Sequence, residues 1–181
     1  MKRTALILAA AGLVFQPGKA LADVKLGYID SEILKEQLPE LRTVRRKLEQ
    51  LEQDYQREVG DQESKLVQLQ EDFRKQELLM SEQRKAEMEG LFQQKLQQLQ
   101  EFRQTKFGPE GELLKKNIEL STPIFDKINE ALKAISEEDG YDFVFDSGAG
   151  IIVYADERHD LTEKLLERLE EEREEAEKKS P

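Results

Sequence analysis

The sequence predicts an α+β protein in which a small three-stranded body carries a long α-helical coiled-coil hairpin. Three observations support this fold class. Residues 39–138 are rich in strong helix formers and carry apolar residues at heptad spacing. Short stretches that alternate apolar and polar residues occur before and after this region. Charged residues make up 37% of the chain and hydrophobic residues 38%, which is too polar a composition for one large globular core.

The first 22 residues have the pattern of a secretory signal peptide. Lys2 and Arg3 form a basic start, residues 5–15 are apolar, and residues 20–22 read Ala-Leu-Ala, a small-x-small cleavage site. The apolar run is too short to cross about 30 Å of hydrocarbon as a helix. We therefore expect cleavage after Ala22, export, and no stable insertion into a membrane.

Loss of the leader makes an acidic chain more acidic. The full chain carries a net charge of −11, and the leader contributes Lys2, Arg3 and Lys19 but no acid, so the mature chain would carry −14. Nucleic acid and anionic lipid would repel such a chain, and we expect neither as a partner. The chain contains no cysteine, which excludes disulfides, thiolate metal sites and a cysteine nucleophile.

The body is predicted from both ends of the mature chain, residues 23–38 and 139–181. Asp160 and Glu163 have the spacing of a capping box that opens the last helix. The predicted elements are strands at 24–29, 141–146 and 151–155 and a helix at 161–176.

Three short strands bury little area and are marginally stable alone, so we expect the body to self-associate. A hairpin that projects from the body adds an apolar seam but no further core. The residues expected at the contact between copies are Val24, Leu26, Tyr28, Phe143, Phe145, Ile152 and Tyr154.

The long central region predicts two arms, at residues 39–138, with a tip near 78–86. Pro39 suits the first turn of a helix, and Ser81 suits the N-cap of the returning arm. A glycine and proline segment interrupts the returning arm, and a glycine of the other arm is expected at a similar height. We hypothesise a hinge at this height, and the alternative is a local kink without function. The hinge residues would be Gly60, Gly108, Pro109 and Gly111.

The tip carries more apolar residues than one helix seam can cover. Leu79 and Met80 are adjacent in sequence, as are Leu91 and Phe92, so these side chains cannot all face one partner helix. The surplus predicts an exposed and adaptable apolar binding surface. Its residues would be Phe73, Leu79, Met80, Met88, Leu91 and Phe92.

The sequence offers little chemistry for catalysis. His159 is the single histidine and is flanked by charged residues, which is typical of a surface loop. Asp142 and Asp146 are explained by alternation on a strand. Residues 147–150 are glycine-rich but precede a predicted strand, whereas a phosphate-binding loop opens a helix. We therefore predict no enzyme activity, no metal site and no cofactor.

The chain resembles the Skp/OmpH family of periplasmic outer-membrane-protein chaperones over its whole mature length. The motifs that carry the resemblance are residues 24–30 (VKLGYID), 140–146 (GYDFVFD), 152–154 (IVY) and 160–162 (DLT). The resemblance implies a periplasmic homotrimer whose strands form a central body and whose three hairpins surround a cavity. It also implies an ATP-independent holdase that binds unfolded outer-membrane proteins, in which case the tip residues would bind these clients.

The charge of the chain departs from this family. Familiar members are basic, and a positive cavity is linked there with lipopolysaccharide contact, whereas this chain is acidic. We therefore carry over no lipopolysaccharide-binding residue. The alternative function is an envelope coiled-coil spacer or adaptor without chaperone activity, which would need a stiff hairpin and specific contacts at its tip.

Overall fold

The computed structural model describes residues 24–179, so the predicted signal peptide, residues 1–22, lies outside the described residues. The fold is α+β and mostly helical, with one small sheet. Its elements are β1 (Leu26–Ile29), α1 (Ser31–Gln37), α2 (Pro39–Gln76), a 3₁₀ turn (Glu77–Leu79), α3 (Glu82–Phe107), α4 (Glu112–Asp139), β2 (Phe143–Asp146), a second 3₁₀ turn (Glu157–His159) and α5 (Thr162–Lys179).

The sheet joins the two ends of the chain. β1 and β2 are parallel, with Leu26 opposite Phe143 and Tyr28 opposite Phe145. Parallel strands need a long crossover connection, and here the crossover contains helices α1 to α4. The other edge of β1 is occupied as well, because the backbone N–H of Leu161 donates to the carbonyl oxygen of Tyr28 at 2.8 Å.

The predicted third strand at 151–155 is wrong. The sheet of the described chain has two strands, and residues 151–155 form no ladder with either of them. A strand requires a backbone partner, and an alternating apolar pattern does not reveal whether one exists. The predicted strands at 24–29 and 141–146 are present but shorter, as β1 and β2.

The two arms of the hairpin are antiparallel. α2 forms the outgoing arm, and α3 followed by α4 forms the returning arm. Arg103 pairs with Glu63 across the arms, and the Tyr55 hydroxyl donates to Glu112 Oε2 at 2.9 Å. The chain reverses at residues 77–81, where Ser81 Oγ accepts a hydrogen bond from the next helix, as expected for its N-cap.

The core lies in the body, at the base of the hairpin. Ile135 of α4 and Leu165 of α5 are completely buried there, and they are the largest fully buried side chains of the described residues. α1 is capped by Asp30, whose Oδ1 accepts from two backbone N–H groups at 2.9 and 3.3 Å. The buried cluster contains Ile29, Leu34, Leu38, Leu41, Ile128, Ala131, Ile135, Leu161 and Leu165.

We expect the Leu165→Ala substitution to lower the free energy of unfolding by about 2–5 kcal/mol, because it leaves a cavity in the buried cluster of the body. Chemical denaturation at fixed protein concentration measures the change. Leu79→Ala is the control, since Leu79 is 90% exposed and its truncation should cost less than about 0.5 kcal/mol. Equal losses in the two variants would contradict this location of the core.

Candidate interaction surfaces

The sheet has one buried face and one uncovered face. Ile29 of β1 belongs to the core, and Val144 of β2 packs against it. The opposite face, here called the outer sheet face, consists of Leu26, Tyr28, Phe143 and Phe145. The two phenylalanine rings stack with centroids 6.4 Å apart and are about half exposed. Contiguous apolar area of this kind is typical of an interface.

Apolar side chains are also uncovered in the segment after β2. Val153 is 99% exposed and Tyr154 is 84% exposed, whereas Ile152 is half-buried. Val24, just before β1, is exposed as well. The seven residues predicted at the contact between copies therefore lie on the outer sheet face or in the segments next to its strands. Their role in assembly stays a prediction.

The predicted tip residues fall into two groups. Leu79 is exposed, as is its neighbour Leu78, which is 96% exposed. Phe73, Met88 and Phe92 are half-buried and line a groove of ≈ 380 Å³ between α2 and α3. Met80 is also half-buried, and Leu91 is 38% exposed. The structure thus places an exposed leucine pair at the turn and leaves most of the predicted set in the seam between the arms.

The returning arm is interrupted between α3 and α4, and residues 108–111 are here called the break. Pro109 has no backbone N–H to continue the helix, and the N–H of Gly111 donates to Gly108 O at 2.8 Å instead. The turn is tight. A Cβ on Gly111 would lie 2.8 Å from Lys106 O, and one on Gly108 would overlap Gln104 O. Both positions therefore require glycine on grounds of space.

Gly60 does not interrupt its arm. α2 continues through Gly60, because one glycine in a helix costs only about 1 kcal/mol relative to alanine. The break lies opposite Tyr55, whose hydroxyl donates to Glu112, and Gly60 lies five residues further along α2. One arm is interrupted and the other is continuous. The hinge itself stays a prediction.

A polar and aromatic cluster, here called the break cluster, surrounds the interruption. Its members are Tyr55, Phe102, Lys106, Phe107 and Glu112. Tyr55 OH and Lys106 Nζ both donate to Glu112 Oε2, at 2.9 and 2.5 Å. The Tyr55 ring meets Phe102 and Phe107 edge to face, with centroids 6.2 and 6.0 Å apart. The cluster thus ties the end of α3 and the start of α4 to the continuous arm.

Hydrogen bonding within the break cluster favours a charged Lys106 and Glu112 and a neutral Tyr55. The hydrogen bond from Lys106 is the main cause that lowers the pKa of Glu112, and the hydrogen bond from Tyr55 lowers it further. The same bond to Glu112 raises the pKa of Lys106. Desolvation of the phenol is the main cause that raises the pKa of Tyr55, and its hydrogen bond to Glu112 raises it further. At neutral pH, Lys106 and Glu112 are therefore charged and Tyr55 is neutral.

A larger groove, here called the base groove, lies between the break and the body. It has a volume of ≈ 730 Å³ and opens between α1, α2 and α4. Leu114 and Phe125 line it and are 44% and 43% exposed, and Ile118, one turn after Leu114, is 57% exposed. These three residues were not singled out from the sequence. The adjacent pair Leu113 and Leu114 was the available signal, since neighbouring helical residues cannot both face one partner.

The side chains considered for catalysis have structural roles or lie on the surface. Asp142 Oδ2 accepts from the Lys25 N–H at 2.8 Å, and Asp146 Oδ1 accepts from the N–H groups of Ser31 and Gly148 at 3.1 and 2.9 Å. His159 is exposed. Residues 24–179 contain no group of acidic, histidine or cysteine residues suited to hold a metal ion. Within the same residues, no helix has the length and apolar character needed to cross a bilayer.

Comparisons with known proteins address the fold and the family. Residues 25–169 match the profile of the family described as outer membrane protein (OmpH-like). No curated protein matches the sequence. The fold resembles a crystal structure from Caulobacter crescentus CB15 that is described as a putative outer membrane chaperone (OmpH-like). The match has a TM-score of 0.67 and 14% sequence identity, and it covers 87% of this chain and 90% of that chain. At this identity, the structural likeness establishes the fold alone.

The break cluster predicts a pH-dependent effect of Glu112→Gln. At pH 7 the variant lacks the charged acceptor of Lys106, so we expect roughly twofold faster amide hydrogen exchange at the start of α4. Because the pKa of Glu112 is lowered from 4.5, its contribution is present above that value and is lost as the pH falls through the folded-state pKa.

The difference between the variant and the unsubstituted chain should therefore vanish in strong acid. Glu119→Gln is the matched control, since Glu119 pairs with Lys116 on the exposed side of the same helix. A difference that persists unchanged after Glu112 is protonated would contradict the role of its charge.

Proposed function

Because the chain belongs to the outer membrane protein (OmpH-like) family, we propose that it is a periplasmic holdase that binds unfolded outer-membrane proteins and prevents their aggregation without ATP. The observation that carries this proposal is apolar surface left uncovered along the hairpin. Leu78 and Leu79 are exposed at the tip, and Leu114, Ile118 and Phe125 are exposed near the base. Soluble monomers rarely leave such patches uncovered unless they bind a partner.

Several weak apolar sites on one long hairpin suit a client without a fixed sequence. Each site alone would bind weakly, and sites that engage one chain together gain affinity through effective concentration. The function needs no catalytic residue, metal or cofactor. We propose no lipopolysaccharide site, since the acidic charge of the chain opposes contact with that anionic lipid.

The assembly that we propose is a homotrimer through the bodies. The outer sheet face supports it, because Leu26, Phe143 and Phe145 are exposed there and β2 has no strand on its outer edge within residues 24–179. Uncovered strand edges favour association. Contact between the outer sheet faces of three copies would bury these side chains and leave the hairpins projecting around a common space.

The break supports bending of the returning arm in this function. Helical hydrogen bonding stops between Phe107 and Glu112, and side chains of the break cluster hold the two helices to α2. An outer half of the hairpin that pivots there would let the space between the arms fit clients of different size. This proposal keeps Gly108, Pro109 and Gly111 as hinge residues and assigns no hinge to Gly60.

One feature favours the alternative of a spacer or adaptor. α2 (Pro39–Gln76) is a single helix of 38 residues, and a continuous helix of that length is a stiff strut of roughly 57 Å. A spacer needs the strut but has no use for the exposed leucines and the base groove. An assay with an unfolded client separates the two functions.

We expect the mature chain to suppress aggregation of a urea-unfolded outer-membrane β-barrel protein on dilution. Light scattering measures the suppression, and native mass spectrometry should give three times the chain mass. No suppression would overturn the holdase proposal and leave the spacer.

The double substitution Phe143→Ser and Phe145→Ser should shift the assembly towards monomer at micromolar concentration, because it removes apolar area from the outer sheet face. Leu78→Ser with Leu79→Ser is the matched control, since these residues are exposed but lie at the tip, and it should keep the trimer. If the unsubstituted chain is a monomer, the assembly proposal is overturned, whereas the holdase proposal still depends on the aggregation assay alone.

A further inference from the structure

We propose that the base groove holds an extended apolar client segment that carries lysine or arginine, an inference that rests on the proposed holdase function. The groove is the larger of the two apolar grooves described above, at ≈ 730 Å³ against ≈ 380 Å³ near the tip. It also lies next to the body, where a chain held between several hairpins would be enclosed most completely.

The apolar side of the groove has the dimensions of an extended chain. Leu114 and Phe125 line the groove from α4, and Ile118 lies beside them at its edge; the face from Leu114 to Phe125 is about 16 Å long. Residues four apart on a helix rise by about 6 Å, and alternate side chains of an extended segment lie about 6.6 Å apart. An extended segment of about six residues therefore spans this face.

The opposite wall presents a complementary row. Leu41, Val44 and Leu48 line the groove from α2 at steps of three and four residues. Leu41 and Val44 are already buried against other parts of the chain, whereas Leu48 is half-buried. The exposed side of α4 thus supplies most of the apolar surface that a bound segment could newly cover.

The rim of the groove carries an excess of acid. Four carboxylates and two cations line it, and each cation is already paired, Lys35 with Glu32 at 2.6 Å and Arg45 with Glu49 at 4.0 Å. Glu36 and Glu52 form no ion pair with any residue in the range 24–179. A segment with lysine or arginine could pair with these two carboxylates, whereas an acidic segment would be repelled.

This charge pattern decides which occupant fits. A second copy of this acidic chain would bring like charge to the rim, and that would oppose its docking. Client segments from unfolded barrels alternate apolar and polar residues, and those with cationic polar positions satisfy both the apolar face and the rim. The attraction should weaken in salt because the rim is exposed to solvent.

Photo-crosslinking on the full mature chain tests the location. The photoreactive residue p-benzoylphenylalanine replaces Ile118 in one variant and Val67 in the other, and these positions are 57% and 56% exposed. Ile118 lies at the edge of the base groove, next to the lining residue Asn117 and one turn after the lining residue Leu114. Val67, in contrast, lies on α2 away from the lining residues and is the matched control. With a urea-unfolded outer-membrane β-barrel protein, we expect a crosslink at position 118 at least about fivefold stronger than at position 67.

Two peptides of about twelve residues test the charge preference. They share alternating apolar residues and differ in having lysine or glutamate at every polar position. We expect the lysine peptide to crosslink at position 118, the glutamate peptide to crosslink weakly, and about 0.5 M salt to reduce the lysine signal. Glu36→Lys with Glu52→Lys should reverse the preference. Glu130→Lys with Glu163→Lys, which changes the net charge equally but away from the groove, should not.

The outcomes separate this inference from the function on which it rests. Suppressed aggregation without a crosslink at position 118, or equal labelling by both peptides, overturns the inference and leaves the holdase standing. A crosslink from position 118 to a second copy in the absence of client also overturns it. If aggregation is not suppressed, the holdase proposal fails. The peptide crosslinks then show by themselves whether the base groove binds apolar segments that carry lysine.

Discussion

The parallel pairing of β1 with β2 is the contact on which the rest of the structure depends. It sets Leu26 beside Phe143, which fixes both ends of the hairpin at one place and makes the arms project from a single base. The pairing also divides the apolar side chains of two short strands between two faces. Ile29 and Val144 complete the core, whereas Phe143 and Phe145 remain uncovered. The same ladder therefore provides the stability of one chain and the surface proposed to join three.

The two arms of the hairpin are unequal, and this inequality has a mechanical consequence. α2 carries unbroken backbone hydrogen bonding along its length, whereas the returning arm loses it at Pro109. Bending at the break therefore has to deform only one helix, and the contacts of Tyr55 with Glu112 and the nearby rings are what bending would disturb. These contacts lie near the surface and are individually weak, so the proposed bending would cost little free energy.

Local sequence signals predicted the helices, the caps and the interruption, because each depends on neighbouring residues. Ser81 caps its helix and Pro109 breaks the arm as expected. The failures involve partners distant in sequence. The strand at 151–155 is absent since its pattern did not specify a ladder partner. The break cluster was missed because its members meet only once the register between the arms is set.

The acidic charge of residues 23–181 is unevenly distributed along the chain. The hairpin, residues 39–138, contains 21 acidic and 17 basic residues, so it carries only −4 of the −14, and the sequence on either side of it carries the other −10. The proposed choice of client would therefore depend on local carboxylates rather than on the net charge of the arms. Glu36 and Glu52 supply such carboxylates at the rim of the base groove, and they form no ion pair within residues 24–179. A client segment with lysine or arginine would be attracted to them over about 8–10 Å at physiological ionic strength, without any need for ATP.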